Sequence, residues 1–187
     1  MKHLGTVELE TKRLVLRRFS ADDAQAMYDN WASDPEVTRY LTWPTHENAA
    51  QSEAILKDWI LRYHEDDYYQ WAIVPKDNED KPIGSIAVVA LDDRAEKATV
   101  GYCIGRRWWH QGITSEALTA VIDYLIHRVG MGRVDAYHDP RNPHSGDVMK
   151  KCGMQYEATL RSSDRNNQGI CDACWYSILA EEPQKAV

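Results

Sequence analysis

The segment Gly101-Tyr-Cys-Ile-Gly-Arg-Arg-Trp-Trp-His-Gln-Gly-Ile-Thr-Ser-Glu-Ala117 constrains the fold more than any other stretch of the chain. It reads as a strand that passes through a short polar turn directly into a helix, with Gly112 at the junction. The first turn of a helix leaves about four backbone N–H groups without intrahelical partners, and its dipole favours negative charge. An anion therefore docks there without a dedicated side chain. Gly112 lets the backbone come close, Arg106 and Arg107 add long-range attraction, and the apolar run from Ala117 to Leu125 buries the far side of the helix. The junction is predicted to hold phosphate.

The elements around this junction follow from hydrophobic period and capping residues. Residues 9–19 alternate around Leu14 and Leu16 as a first strand. Ser20 and Asp23 then form a capping-box variant, ahead of an apolar face made by Ala24, Met27, Tyr28 and Trp31. Asp34-Pro35 starts a short helical piece, and a third helix is predicted from about Glu47 to Tyr63 with Ile55, Leu56, Trp59 and Ile60 on its buried side. The period then changes to that of strands, at Trp71–Val74, Ile83–Leu91 and Ala98–Ile104, an antiparallel meander with a turn over 75–82.

The junction helix follows over 112–128, with Leu118, Val121, Ile122 and Leu125 as its buried stripe and Gly130 as its stop. After a strand at Arg133–Tyr137, Asn142-Pro143 opens a helix that reaches about Lys151, because Asn accepts from free N–H groups and Pro suits the first helical position. Tyr156–Leu160 and Cys174–Leu179 read as closing strands joined by the polar segment 161–172. The order predicts a mixed sheet with helices on its faces, in one α+β or α/β domain over 1–187.

Charge and composition remove several classes. The 29 acidic residues against 22 basic ones leave a net charge of −7, without the basic field that drives binding to nucleic acid. No apolar run approaches the roughly 18 residues of a membrane span, and the mean hydropathy is −0.58. The N-terminus lacks the apolar core of a signal peptide, and the four cysteines form no dense framework, so a reducing cytoplasm is expected.

Motif spacing removes more. There is no G-x-x-x-x-G-K-[ST], no G-x-G-x-x-G after a strand, no G-x-S-x-G and no H-E-x-x-H. Cys171-Asp-Ala-Cys174 has the spacing of half a zinc site, but a second pair is absent and residues three apart on a strand face opposite sides, so no metal is expected. A phosphate-holding turn without the parts for nucleotide hydrolysis remains.

Trp109-His-Gln-Gly-Ile-Thr-Ser-Glu-Ala117 at a strand-to-helix junction, then Asn142-Pro-His-Ser145 opening a helix that runs into Lys151-Cys-Gly-Met-Gln-Tyr-Glu157, resembles the GNAT superfamily of acetyl-CoA-dependent N-acetyltransferases. The opening Glu10-Thr-Lys-Arg-Leu-Val-Leu-Arg-Arg-Phe19 and the later Asp139-Pro-Arg-Asn142 resemble the branch that contains ribosomal-protein N-terminal alanine and serine acetyltransferases. The likeness runs from about residue 9 to 182. It implies a GNAT-type α/β (α+β) fold, a mixed and mostly antiparallel sheet of about seven strands with helices on both faces. It also implies acetyl-CoA as co-substrate, and leaves room for a homodimer.

Site residues carry over from the resemblance. The pantetheine arm is expected along Tyr102, Cys103 and Ile104, with the Ile104 N–H polarising the thioester carbonyl. Trp109, His110, Gln111, Gly112, Ile113 and Thr114 correspond to the pyrophosphate turn, where Trp109 replaces Gln or Arg and Thr114 replaces Gly or Ala of the general pattern. Asn142 matches the residue that bonds the pantetheine amide, and Ser145 the hydroxyl near the departing sulfur, although both also suit an ordinary helix start. Asp164, on a loop, falls where the branch has a carboxylate that deprotonates the amine, with a solvated loop Asp as the competing view. Trp43, Tyr137 and His138 are the expected acceptor contacts. The acceptor is read as a peptide N-terminal amine, with small amines as an alternative and a non-catalytic CoA-binding module, suggested by Thr114, as a second.

Overall fold

The structure is a computed structural model and describes residues 1–77 and 80–184. Residues 78 and 79 of the predicted 75–82 turn lie outside the described residues. Eight strands form one sheet: β1 (Leu9–Glu10), β2 (Leu14–Arg17), β3 (Gln70–Pro75), β4 (Gly84–Asp92), β5 (Lys97–Ile104), β6 (Arg133–His138), β7 (Gln155–Asn166) and β8 (Gly169–Leu179). Their order is β1-β2-β3-β4-β5-β6-β8-β7. Every neighbouring pair is antiparallel except β5 and β6.

The expected first strand is two strands. Thr11 Oγ1 accepts from the Leu14 N–H at 3.0 Å and closes a turn, so Leu9 lies opposite Leu16 in a small hairpin. At the other end, 161–172 is an extended hairpin where a loop was expected, with β7 and β8 paired as far as Asn166 and Gly169. Its residues alternate poorly because most of β7 is exposed on both faces. Backbone pairing holds it in place of a buried side-chain stripe. Asp164 accordingly sits on a strand, opposite Cys171.

Five helical elements flank the sheet. The first, α1, is Ala24–Met27 with a 3-10 turn at Ala21–Asp23 before it and a π turn at Tyr28–Ala32 after it. The Ser20–Asp23 capping box is present, and Arg17 grips the Asp23 carboxylate with both terminal nitrogens. The others are α2 (Pro35–Thr38), α3 (Ala49–Arg62), α4 (Ile113–Asp123, prolonged by a π turn to Val129) and α5 (Pro143–Lys151).

Side-chain alternation on β3 sends Trp71 and Ile73 to one face and Ala72 and Val74 to the other. The first face packs on Ala117, Leu118, Val121 and Leu125 of α4 and Met149 of α5. The second packs on Met27 and Trp31 of α1 and Leu56 of α3. On α3 the buried stripe is narrower than expected. Leu56 is fully buried, whereas Ile55 is 39% exposed and points to solvent.

Candidate active site

Strands β5 and β6 run parallel and share only three rungs, from Lys97↔Arg133 to Thr99↔Asp135. Beyond Thr99 the edge of β5 that faces β6 is unpaired among the described residues. The Gly105 N–H bonds the Ile83 carbonyl, so Gly105 faces β4, and strand alternation turns the N–H groups of Tyr102 and Ile104 toward the gap. The Ile104 carbonyl on that edge accepts from Trp109 Nε1 at 2.9 Å. A row of backbone groups thus faces an opening where an extended ligand can pair as a strand would.

The gap continues into a cleft of about 220 Å3. Of the residues singled out in the sequence, Tyr102, Cys103, Ile104, Trp109, His110, Gly112, Ile113, Thr114, Asn142 and Ser145 line it. Gly112 caps α4 with φ +73°, and His110 two residues earlier has φ +60°. Such alternating positive-φ positions turn successive N–H groups toward one side. A Cβ on Gly112 would meet no backbone; its one neighbour is Arg13 Nη2 at 3.7 Å. The glycine is therefore required by its backbone angle, not by crowding.

Arg13, which no motif singles out, stands beside the turn and off the cleft wall. It lies on the β1–β2 hairpin, about a hundred residues upstream of the turn. Its Nη1 donates to the Gln111 carbonyl at 3.0 Å, and its Nε and backbone N–H both donate to Glu116 in the first turn of α4. Burial opposes ionisation of Glu116, but hydrogen bonds from Thr11 and Arg13 outweigh it and hold the carboxyl below its ordinary value. A guanidinium is thereby fixed beside a helix N-terminus. Gln111 itself stays off the cleft wall: its side chain donates to the Arg107 carbonyl and closes the preceding 3-10 turn. On the opposite lip His144 meets His110 edge to face, with ring centroids 4.9 Å apart.

Deeper in the cleft, Ser145 Oγ and the Tyr102 hydroxyl are 3.1 Å apart, and the phenol donates to the Ser145 carbonyl at 2.8 Å. Burial pushes the Tyr102 phenol well above its ordinary value, so it stays protonated. The Asn142 side chain makes no capping bond to α5. That leaves the amide unspent on the helix start, the role that a capping Asn would have. Cys103 points away from Tyr102, beside the Ser85 hydroxyl at 3.4 Å, and burial raises its thiol. A buried, protonated thiol is a poor nucleophile.

Four residues expected at the acceptor end lie off the cleft wall. The Trp43 ring packs on His46, Tyr137 packs tilted on Trp175 with ring centroids 4.6 Å apart, and His138 packs on Tyr176. His138 Nε2 lies under α5, where a Cβ on Gly146 would come within 2.5 Å of it. Asp164 is near Tyr137 and Cys171, where burial raises both groups and its charge adds to that effect. In place of the three rings the wall is made by Val37, Tyr40 and Leu41, from α2 and the segment after it. Among the described residues no cluster of three His, Cys, Asp or Glu is placed to hold a metal ion, and no helix is long and apolar enough to cross a membrane.

The comparisons with known proteins agree with this geometry. The family model described as "Acetyltransferase (GNAT) domain" matches residues 13–155. The uncharacterized N-acetyltransferase YoaA of Bacillus subtilis is 32% identical over 91% of this chain and 96% of its own. The [ribosomal protein uS5]-alanine N-acetyltransferase of Escherichia coli is 27% identical over 81% of this chain and 79% of its own. The solved structure of the ribosomal-protein-S5-alanine acetyltransferase of Vibrio fischeri superposes with a TM-score of 0.81 at 18% identity, covering 96% of this chain and all of the other, and so shares the fold. A family model spanning most of the sequence, over a sheet that opens beside a positive-φ turn at a helix N-terminus, leaves one assignment: the chain belongs to the GNAT family of N-acetyltransferases, which take their acetyl group from acetyl-CoA.

Proposed function

We propose that the acceptor is the N-terminal amine of a protein or peptide, acetylated by direct attack on the thioester through a tetrahedral intermediate. The observation that carries this reading is the acceptor wall of Val37, Tyr40 and Leu41. An apolar and aromatic wall suits an uncharged N-terminal side chain. A polyamine or aminoglycoside needs carboxylates to hold its further ammonium groups. Asp147 is the one carboxylate among the described residues that line the cleft, and it pairs with Lys150 on α5. The uS5-alanine N-acetyltransferase resemblance points the same way.

In this reading the pantetheine arm lies along Tyr102–Ile104, with its amide on Asn142, and the pyrophosphate rests on the N–H groups from Gly112 to Thr114 beside Arg13. The Ile104 N–H stabilises the oxygen as it becomes an oxyanion. The C–N bond forms first; as the intermediate collapses and the C–S bond breaks, Ser145 turns its hydroxyl proton from the Tyr102 oxygen, which accepts it in the free protein, to the departing sulfur. Tyr102 orients Ser145, and burial keeps it from giving up its proton outright.

The attacking amine must first lose a proton. Asp139 is a poor acceptor, because the Arg141 guanidinium holds it far below the usual carboxylate range. Asp164 lies off the cleft wall, so in this reading it takes that proton through a water held between it and the amine, and a direct bond to the amine is not part of the reading. A panel of peptides with free N-termini set against polyamines, amino acid derivatives and aminoglycosides tests the acceptor. Acetylation of peptides supports the reading, and turnover confined to small amines overturns it.

A further inference from the structure

The acceptor wall does not hold itself. Between α2 and α3, residues 39–48 contain no helix or strand, yet Tyr40 and Leu41 in this segment line the cleft. The segment is fastened instead by the tip of the β7–β8 hairpin, more than 120 residues away in sequence. Asn167 donates its backbone N–H to the Leu41 carbonyl at 3.0 Å. Its side-chain amide donates one proton to the Thr38 carbonyl at 2.8 Å and the other to the Trp43 carbonyl at 2.7 Å. Both amide protons are thereby used on the backbone that flanks Tyr40 and Leu41.

The preceding residue reaches the same wall from the other side. Asn166, 8% exposed, donates to Asp139, which is 6% exposed and grips Arg141 through two nitrogens. The Arg141 guanidinium lies 5.9 Å from the Tyr40 ring. Two adjacent amides at one hairpin tip therefore fix the backbone of 38–43 and the cation over Tyr40.

From this we infer that Asn167 is a specificity-determining residue. It sets the width of the acceptor end, and hence which amine enters, without touching the acetyl donor. The inference rests on the acetyl-transfer reading of the cleft and names the part of the fold that selects the amine. Asn167 does not contact the reacting atoms; it acts through Tyr40 and Leu41.

The test is Asn167→Asp, which keeps the size and replaces two donors with a carboxylate facing two carbonyl oxygens. Asn167→Ala, which removes the donors without adding repulsion, serves as the milder partner if the first variant fails to fold. Hydrogen exchange over residues 38–46 is read on the full chain with CoA bound, together with the acetyl-CoA dissociation constant and KM for a free N-terminal peptide. We expect faster exchange over 38–46, a donor dissociation constant within about twofold of the parent, and KM for the peptide raised about tenfold, the loss of two hydrogen bonds, with weaker discrimination among N-terminal residues. Unchanged exchange over 38–46, or equal losses of donor and acceptor binding, overturns the inference. If the parent acetylates no peptide, the acceptor reading fails, while the exchange comparison still decides whether Asn167 holds the wall.

Discussion

The two ends of the cleft are built in opposite ways. The donor end is local: a strand, a turn and a helix N-terminus within 101–117 present backbone N–H groups whose direction is set by two positive-φ residues, His110 and Gly112. The proposed acceptor end is assembled from afar, by the side-chain amide of Asn167 at a hairpin tip, bonded to a segment 124 and 129 residues earlier. Backbone donors tolerate changes of side chain, so a turn of this kind suits a cofactor that stays the same. Contacts made by single side chains across the fold are altered one at a time, so an end built from them changes shape with single substitutions. The ledge between the ends, where Ser145 and Tyr102 meet, is where the proposed reading puts the chemistry.

Substitutions should separate these three zones. The largest effect is expected at the ledge. Ser145→Ala should lower kcat by about a hundredfold, the lower range for a positioned proton-handling group, with acetyl-CoA affinity nearly unchanged. Tyr102→Phe should lower kcat by a smaller factor and add little in the Ser145→Ala background. Steady-state kinetics with calorimetric titration of acetyl-CoA check both, and equal loss of kcat and donor binding contradicts the roles assigned.

At the donor end, Gly112→Val forces a β-branched residue to φ +73°, a strain of about 1–3 kcal/mol. Binding of acetyl-CoA should weaken roughly tenfold or more while KM for the amine holds. A proportionate rise in both constants would mean that the ends are not independent. Arg13→Ala should weaken acetyl-CoA several-fold, and the difference from the parent should shrink as salt is raised, because a half-exposed charge is screened.

The smallest expected effect concerns acid stability. Arg133 grips Glu157 between β6 and β7 and, with Ser177, holds its carboxyl at about 2. A depressed folded-state value means that this stabilisation is complete above the unfolded carboxylate value of about 4.3 and is lost as pH falls toward 2. Glu157→Gln should flatten denaturant-measured stability across that window by under about 1 kcal/mol, since the carboxylate is partly exposed. Asp139, held lower still by Arg141, follows the same sign. An unchanged slope in the Glu157 variant would show that the pair contributes nothing.

The contrast between the ends also explains what the sequence could reveal. The 101–117 junction and the Asn142–Ser145 helix start carry their signal in adjacent residues, and the structure places most of the residues named there around one cleft. The acceptor wall has no such signal. Trp43 was expected to offer its ring, but what the fold uses is its carbonyl, and any residue carries one. Tyr137 and His138 alternate on β6 so that one packs on Trp175 and the other lies beneath Gly146.

Residues 161–172 lack apolar alternation, so the sequence reads as a loop around Asp164. The segment is instead held by backbone pairing, with β7 largely in water and β8 burying Cys171 and Ala173, and is interrupted by a bulge between Leu160 and Asp164. Arg13 was legible only as part of a strand. Its position beside Gly112 depends on Glu116, a pairing visible once β1, β2 and α4 are packed together.

The separation of the two ends is tested most directly by hydrogen exchange of the protein with and without CoA. The account predicts protection at Tyr102–Ile104 and over 112–115, the unpaired edge of β5 and the first turn of α4. Protection absent from both segments, with the change appearing elsewhere on the sheet, would contradict it.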